Sequence, residues 1–103
     1  MDSKELTERK KVISGKLGNL MKRIALSELN SNPKKYNFSL TISSHGNHIS
    51  FSVDTSPTST IENEEYYCLR WATGEEDAKY YNEVVAVIDR MESLFIKYSN
   101  LNK

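Results

Sequence analysis

Cysteine, proline, glycine and long apolar runs are all scarce in this chain. A single cysteine, Cys68, among 103 residues excludes an intramolecular disulfide and fits a reducing compartment. The longest uninterrupted apolar run is Val84-Val85-Ala86-Val87-Ile88, far short of the roughly 20 residues that cross a bilayer. The first residues, Met1-Asp2-Ser3-Lys4-Glu5, are charged and contain no apolar signal-peptide stretch, so the expected location is cytoplasmic and no membrane contact is expected. Neither sign of charge predominates: 14 basic residues balance 14 acidic ones. A surface that serves throughout as counter-charge to phosphate is therefore disfavoured. A glycine-rich phosphate loop, an HExxH, a CxxC and a nucleophile elbow are all missing, which removes the common catalytic signatures.

What is present suits one folded domain spanning residues 1–103. A chain of this length buries roughly 60% of its unfolded surface, enough for a core without metal or disulfides. Ten aromatic residues and 38% hydrophobic residues point away from disorder.

Residues 4–30 carry Leu6, Ile13, Leu17, Leu20 and Ile24 on one helical stripe and predict a helix, stopped by Asn30-Ser31-Asn32-Pro33. Gly15 and Gly18 cost helix propensity. They mark either a break near Ser14-Gly15 or a second, small-residue face of Ser14, Gly18, Met21 and Ala25 that lets another helix approach closely; the close-packing reading is preferred.

Residues 36–54 alternate. Tyr36, Phe38, Leu40 and Ile42, then Ile49, Phe51 and Val53, fall on one side, with Ser, Thr and Asn between them. This is a hairpin of two half-buried strands. A two-residue Gly46-Asn47 turn would oppose His45 to His48, Ser43 to Ser50, Ile42 to Phe51 and Leu40 to Val53. A third strand is expected at about 64–72, after a polar loop at 55–60, with Tyr67, Leu69 and Trp71 inward and Tyr66, Cys68 and Arg70 outward. Thr73-Gly74-Glu75-Glu76 reads as a capping box. It opens a helix at about 75–98 with Tyr81, Val84, Ile88, Met91, Phe95 and Tyr98 on its main stripe. Val85 and Ile96 lie off that stripe and widen the apolar surface, which hints at a further contact.

The expected fold is α+β, a two-layer α-β-β-β-α arrangement. A three-stranded antiparallel meander carries the N-terminal and C-terminal helices on one face. The pentapeptide Gly18-Asn19-Leu20-Met21-Lys22, with three strands and a helix after it, resembles the small nucleoid-associated proteins of the YbaB type. The distance from it to the first strand is much shorter here, so the likeness implies an analogy of fold class and nothing about function.

Three groupings are candidate sites. The polar sheet face offers a flat binding surface of Ser43, His45, His48, Ser50, Tyr66 and Arg70, with Tyr and Arg as anchors. The first helix carries a basic patch of Arg9, Lys10, Lys11, Lys16, Lys22 and Arg23, suited to a phosphate backbone. Ser14, Gly18, Val85 and Ile96 are candidates for dimer or helix packing. Two histidines do not make a zinc site, so no metal and no cofactor are expected. Cys68, with only Arg70 near it in sequence, lacks the electropositive setting of a catalytic thiolate. Glu62, Glu64 and Glu65 offer no pair whose pKa values would be driven apart.

The expectation is a non-enzymatic protein–protein binding module, a small inhibitor or adaptor of the kind mobile genetic elements carry, acting as a homodimer. Alternatives are nucleic-acid binding through the basic helix, and capture of a small anion by Arg70, His45 and His48 at a dimer interface. Through His48 the chain holds nine basic and four acidic residues, and beyond it five and ten. The zero net charge is thus a cancellation of unlike halves, which favours association between them.

Overall fold

The computed structural model describes residues 3–30, 34–43, 47–56, 59–67, 69, 72 and 78–102. Helix α1 runs Ser3–Leu29, strands β1, β2 and β3 run Asn37–Ser43, His48–Ser56 and Ser59–Tyr66, and helix α2 runs Ala78–Leu101. The sheet is an antiparallel meander in the order β1-β2-β3. Both helices lie on one face, α1 nearest β1 and α2 over β2 and β3. This is the expected α+β architecture.

The core forms where the two periodicities meet. Ile13, Leu17 and Leu20 of α1 and Val84, Val87, Ile88, Met91 and Phe95 of α2 pack on Phe38, Ile49, Phe51 and Val53. Ile49, Phe51 and Val53 are wholly buried, because β2 is central and both helices cover its apolar side. Phe38 stands 4.7 Å from the Phe95 ring, and Tyr36 meets Tyr98 edge-on at 4.8 Å. Aromatic pairs at such spacing favour tilted and edge geometries.

Four expectations are corrected. The hairpin register is Leu40 to Phe51, Ile42 to Ile49 and Ser43 to His48, two residues from the expected one. The connection is therefore the four residues 44–47, with Asn47 at φ 53°, a left-handed conformation that Asn tolerates better than most residues. A shift of two keeps every side chain on its face, so the apolar/hydroxyl separation holds while His45 and His48 are not opposed.

The third strand lies earlier than expected, and β2 and β3 between them take in four of the six residues of the presumed polar loop. Strands β2 and β3 are joined across residues 57–58, with register shifts near Asp54 and a Thr60 hydroxyl that donates to Asp54 at 2.7 Å. Because Tyr66 pairs with Ile49, it sits on the helix side. There its hydroxyl donates to the Tyr80 carbonyl at 3.3 Å. Tyr67 lies on the open side, 60% exposed; Trp71 and Cys68 lie outside the described residues.

The first helix runs unbroken through Gly15 and Gly18, and a Cβ at either would meet nothing within 4 Å. Neither the break nor close packing within the chain occurs. The last helix continues to Leu101, and the capping box at 73–76 lies outside the described residues.

Candidate functional site

The sheet face away from the helices carries Ser39, Thr41 and Ser43 from β1, His48, Ser50 and Ser52 from β2, and Asn63 and Glu65 from β3, followed by Tyr67. Strand alternation and pairing assign these residues together, since successive side chains point to opposite faces. No described element covers them.

Its polar groups bond to one another. The Ser39 and Ser52 hydroxyls are 2.7 Å apart. The Asn63 amide donates to Ser50 Oγ at 3.4 Å and to the Phe51 carbonyl at 3.3 Å. At the hairpin end, the Tyr67 ring stacks on His48 with centroids 4.3 Å apart and planes 15° from parallel. Glu65 reaches both, with Oε1 3.6 Å from His48 Nε2 and Oε2 accepting from the Tyr67 hydroxyl at 3.4 Å. His48 Nε2 is buried without a hydrogen-bond partner. The backbone amide of Leu69 donates to Asn47 at 2.9 Å, which ties the segment after β3 to the hairpin end. The result is a rigid, flat, mainly neutral surface with one aromatic ring already oriented.

Of the expected surface, Ser43, His48 and Ser50 lie on this face, Tyr66 lies on the other, and His45 and Arg70 are outside the described residues. Tyr67 and Glu65 were missed as surface residues. The signal for both is the parity of β3, which only its pairing with β2 defines.

The basic patch is divided. Lys16 Nζ donates to Asp89 Oδ1 at 2.7 Å, Arg23 pairs with Glu92 at 3.9 Å, and Arg9 stands over the Tyr81 ring at 5.3 Å. These contacts run from α1 to α2, so the unlike halves of the chain neutralise each other partly within one molecule. Lys11 pairs with Glu8 at 3.7 Å. Lys10, Lys11 and Lys22 are exposed and lie away from the α2 flank. Of the proposed packing residues, Ser14 and Gly18 are exposed, Val85 is half-buried, and Ile96 is 43% exposed.

The Lys16–Asp89 hydrogen bond holds the Lys16 pKa above its ordinary 10.5, and burial acts in the opposite direction. A raised cation pKa means that the stabilisation is fully present below 10.5 and is lost as pH rises past the folded value. Lys16→Met is expected to lower stability by about 0.5 kcal/mol near neutrality, since the pair is at the surface. The difference from the parent should close in strongly alkaline solution, as urea melts at the two pH values will read.

Among the described residues, shallow grooves flank the helices. One of about 380 Å³ between β3 and α2 is lined by Ile61, Glu64, Arg90, Leu94 and Lys97 among others, and Arg90 Nε bonds Glu64 within it at 3.2 Å. Another lies between the start of α1 and Tyr81. Among the described residues no three His, Cys, Asp or Glu gather as a metal site, and no helix is long and apolar enough to cross a membrane. Comparison with known proteins finds no matching family model, no matching curated protein and no matching solved structure.

Proposed function

We propose that this chain is a non-enzymatic binding module that acts through protein–protein contact and receives its partner on the uncovered sheet face. The observation that carries this reading is the exposed aromatic side chain on that face, Tyr67 at 60%, amid polar groups already bonded to one another. A ring held by His48 loses little freedom on binding, and aromatic side chains dominate interface energetics. The face is short of basic residues, so a protein surface suits it better than phosphate. In size and in its lack of catalytic motifs the chain fits an inhibitor or adaptor, at work in the cytoplasm as a homodimer. The basic helix gives less support to nucleic acid, because Lys16 and Arg23 already face carboxylates of α2.

A photoreactive aromatic at position 52, introduced in the native host, tests this reading. One discrete protein adduct is expected, and Tyr67→Ala should lower its yield about tenfold, the loss that a mid-sized interface anchor brings. The same adducts from a probe at position 26, on the outside of α1, would sink it.

A further inference from the structure

We propose a second docking seat, separate from the uncovered sheet face: the slot between the β1 edge and the outer flank of α1 receives a bare extended segment of a partner protein, acidic at its ends and apolar at alternate residues, which pairs with β1 as a fourth strand.

The sheet is one strand narrower than its helix layer. A helix with its side chains is about 10–12 Å across and strands lie about 4.8 Å apart, so one helix covers about two strands. Helix α2 lies over β2 and β3, and α1 packs over β1. The outer half of α1 therefore overhangs a strand position that no described strand fills. The burial pattern agrees. Ile42 is on the helix side of β1 yet 47% exposed, whereas Ile49, its partner one strand inward, is wholly buried. Leu40 is half-buried beside a wholly buried Phe51.

The two edges of the sheet differ. The β3 edge carries Glu62, Glu64 and Glu65 and two register shifts against β2, both devices that deter strand addition. Strand β1 has no charge, no proline and a register without shifts. On such an edge every second residue turns its N–H and C=O outward.

The overhang selects the occupant. A strand that already carries a helix cannot enter, because that helix and α1 would fill the same space above the slot. This excludes the three strands of a second copy, all of which lie under α1 or α2, and leaves an extended segment with nothing packed over it. Lys16 and Arg23 face α2, so Ser14, Gly18, Met21 and Ala25, on the other side of the helix, look out over the slot, and all are exposed. Tyr98 meets Tyr36 and Phe95 meets Phe38, so β1 runs against α2, and the Lys16 and Arg23 contacts set α1 alongside α2 in the same direction. The stretch from Phe38 to Ile42 thus runs beside roughly the stretch of α1 from Ala25 back to Gly18. Met21, 46% exposed, joins Leu40 and Ile42 as an apolar lining, and the small residues around it leave room for larger side chains. Incoming residues that point to the helix side, every second one, are therefore apolar. Charge sets the ends. Exposed Lys10 stands beyond the Ile42 end and exposed Lys35 precedes β1 at the other, while Glu28 is held by Lys34 at 3.8 Å. Acidic residues at both ends of the segment meet these two cations. Backbone pairing supplies the affinity and the alternate side chains the selectivity, as in other strand additions.

Hydrogen exchange of the full chain, read by nuclear magnetic resonance with the synthetic peptide Asp-Glu-Ser-Val-Thr-Leu-Ser-Val-Thr-Ile-Glu-Asp, tests this. Alternate β1 amides between Phe38 and Ile42 should exchange about tenfold more slowly with saturating peptide, and β3 amides should not change. N-methylation of every second peptide residue should abolish binding in one phase and spare it in the other, because only one edge of the peptide faces β1. Met21→Glu should weaken binding about tenfold without moving the urea midpoint, since Met21 is exposed in the free chain. Lys10→Glu with Lys35→Glu should also weaken it. No protection of β1 at millimolar peptide, protection of β3 instead, or undiminished binding by Met21→Glu overturns the seat. Each of these results leaves the uncovered face to be judged by the crosslinking at position 52.

Discussion

Phe51→Ala is expected to destabilise the fold by about 3–5 kcal/mol. Phe51 is fully buried at the middle of the central strand, with Leu40 beside it on β1 and Glu64 on β3. Its ring stacks on Phe38 at 6.1 Å, and both helices close over that side of the sheet. Alanine there removes most of the side chain, and the strands on each side hold the backbone apart, so the cavity cannot collapse. A domain of this size has roughly 5–15 kcal/mol in total, so the variant should lose at least about a fifth of it. Thermal unfolding read by circular dichroism should fall by at least about 12 °C. Ser52→Ala, one residue along on the open face, should stay within about 0.5 kcal/mol. Equal losses at the two positions would contradict the two-layer fold, because both sides of the sheet would then have to be buried.

Asn102→Ala is expected to cost about 2 kcal/mol, a large effect for a residue just past the end of a helix. The Asn102 carboxamide accepts from the Tyr36 amide at 2.8 Å and donates to the Tyr36 carbonyl at 2.9 Å. It therefore occupies both backbone groups of the residue that leads into β1. Tyr36 is half-buried, and its ring packs on Tyr98. Loss of the amide leaves two partly shielded backbone groups unpaired, at about 1 kcal/mol each. Asn102→Asp should lose nearly as much, since its carboxylate can accept from the amide but only repels the carbonyl. Hydrogen exchange at the Tyr36 amide should accelerate in both variants. Unchanged exchange and an unchanged urea midpoint would show that the clasp contributes nothing.

The Asn102 contact illustrates where local reading stops. An asparagine near a chain end carries no pattern, and its partner is 66 residues away. The contacts from Lys16 to Asp89 and from Arg23 to Glu92 are of the same kind. Their residues were visible as basic and acidic halves, but the halves meet inside one molecule rather than only between two. The uncovered face was legible as a run of hydroxyls. Its aromatic anchor was not, because Tyr66 and Tyr67 are adjacent and identical in type. Which of them points outward depends on the pairing of Tyr66 with Ile49.

Local chemistry by itself determined the elements whose burial is one-sided. The stripe from Ile13 to Ile24, the alternation from Phe38 to Val53 and the stripe from Val84 to Phe95 each admit one periodic structure, and each has one face to bury. Their order then leaves a meander with both helices on one side. Register and β3 were decided by the tertiary structure alone. Moving the hairpin by two residues preserves every face, so hydrophobicity cannot separate the two registers, and the connection through Asn47 selects between them. The helix-side positions of β3 are Glu62, Glu64 and Tyr66, so β3 has no apolar pattern to announce it. Helix-side Glu62 and Glu64, paired with Val53 and Phe51, are admitted because β3 is held by backbone hydrogen bonds to a strand already fixed by its core.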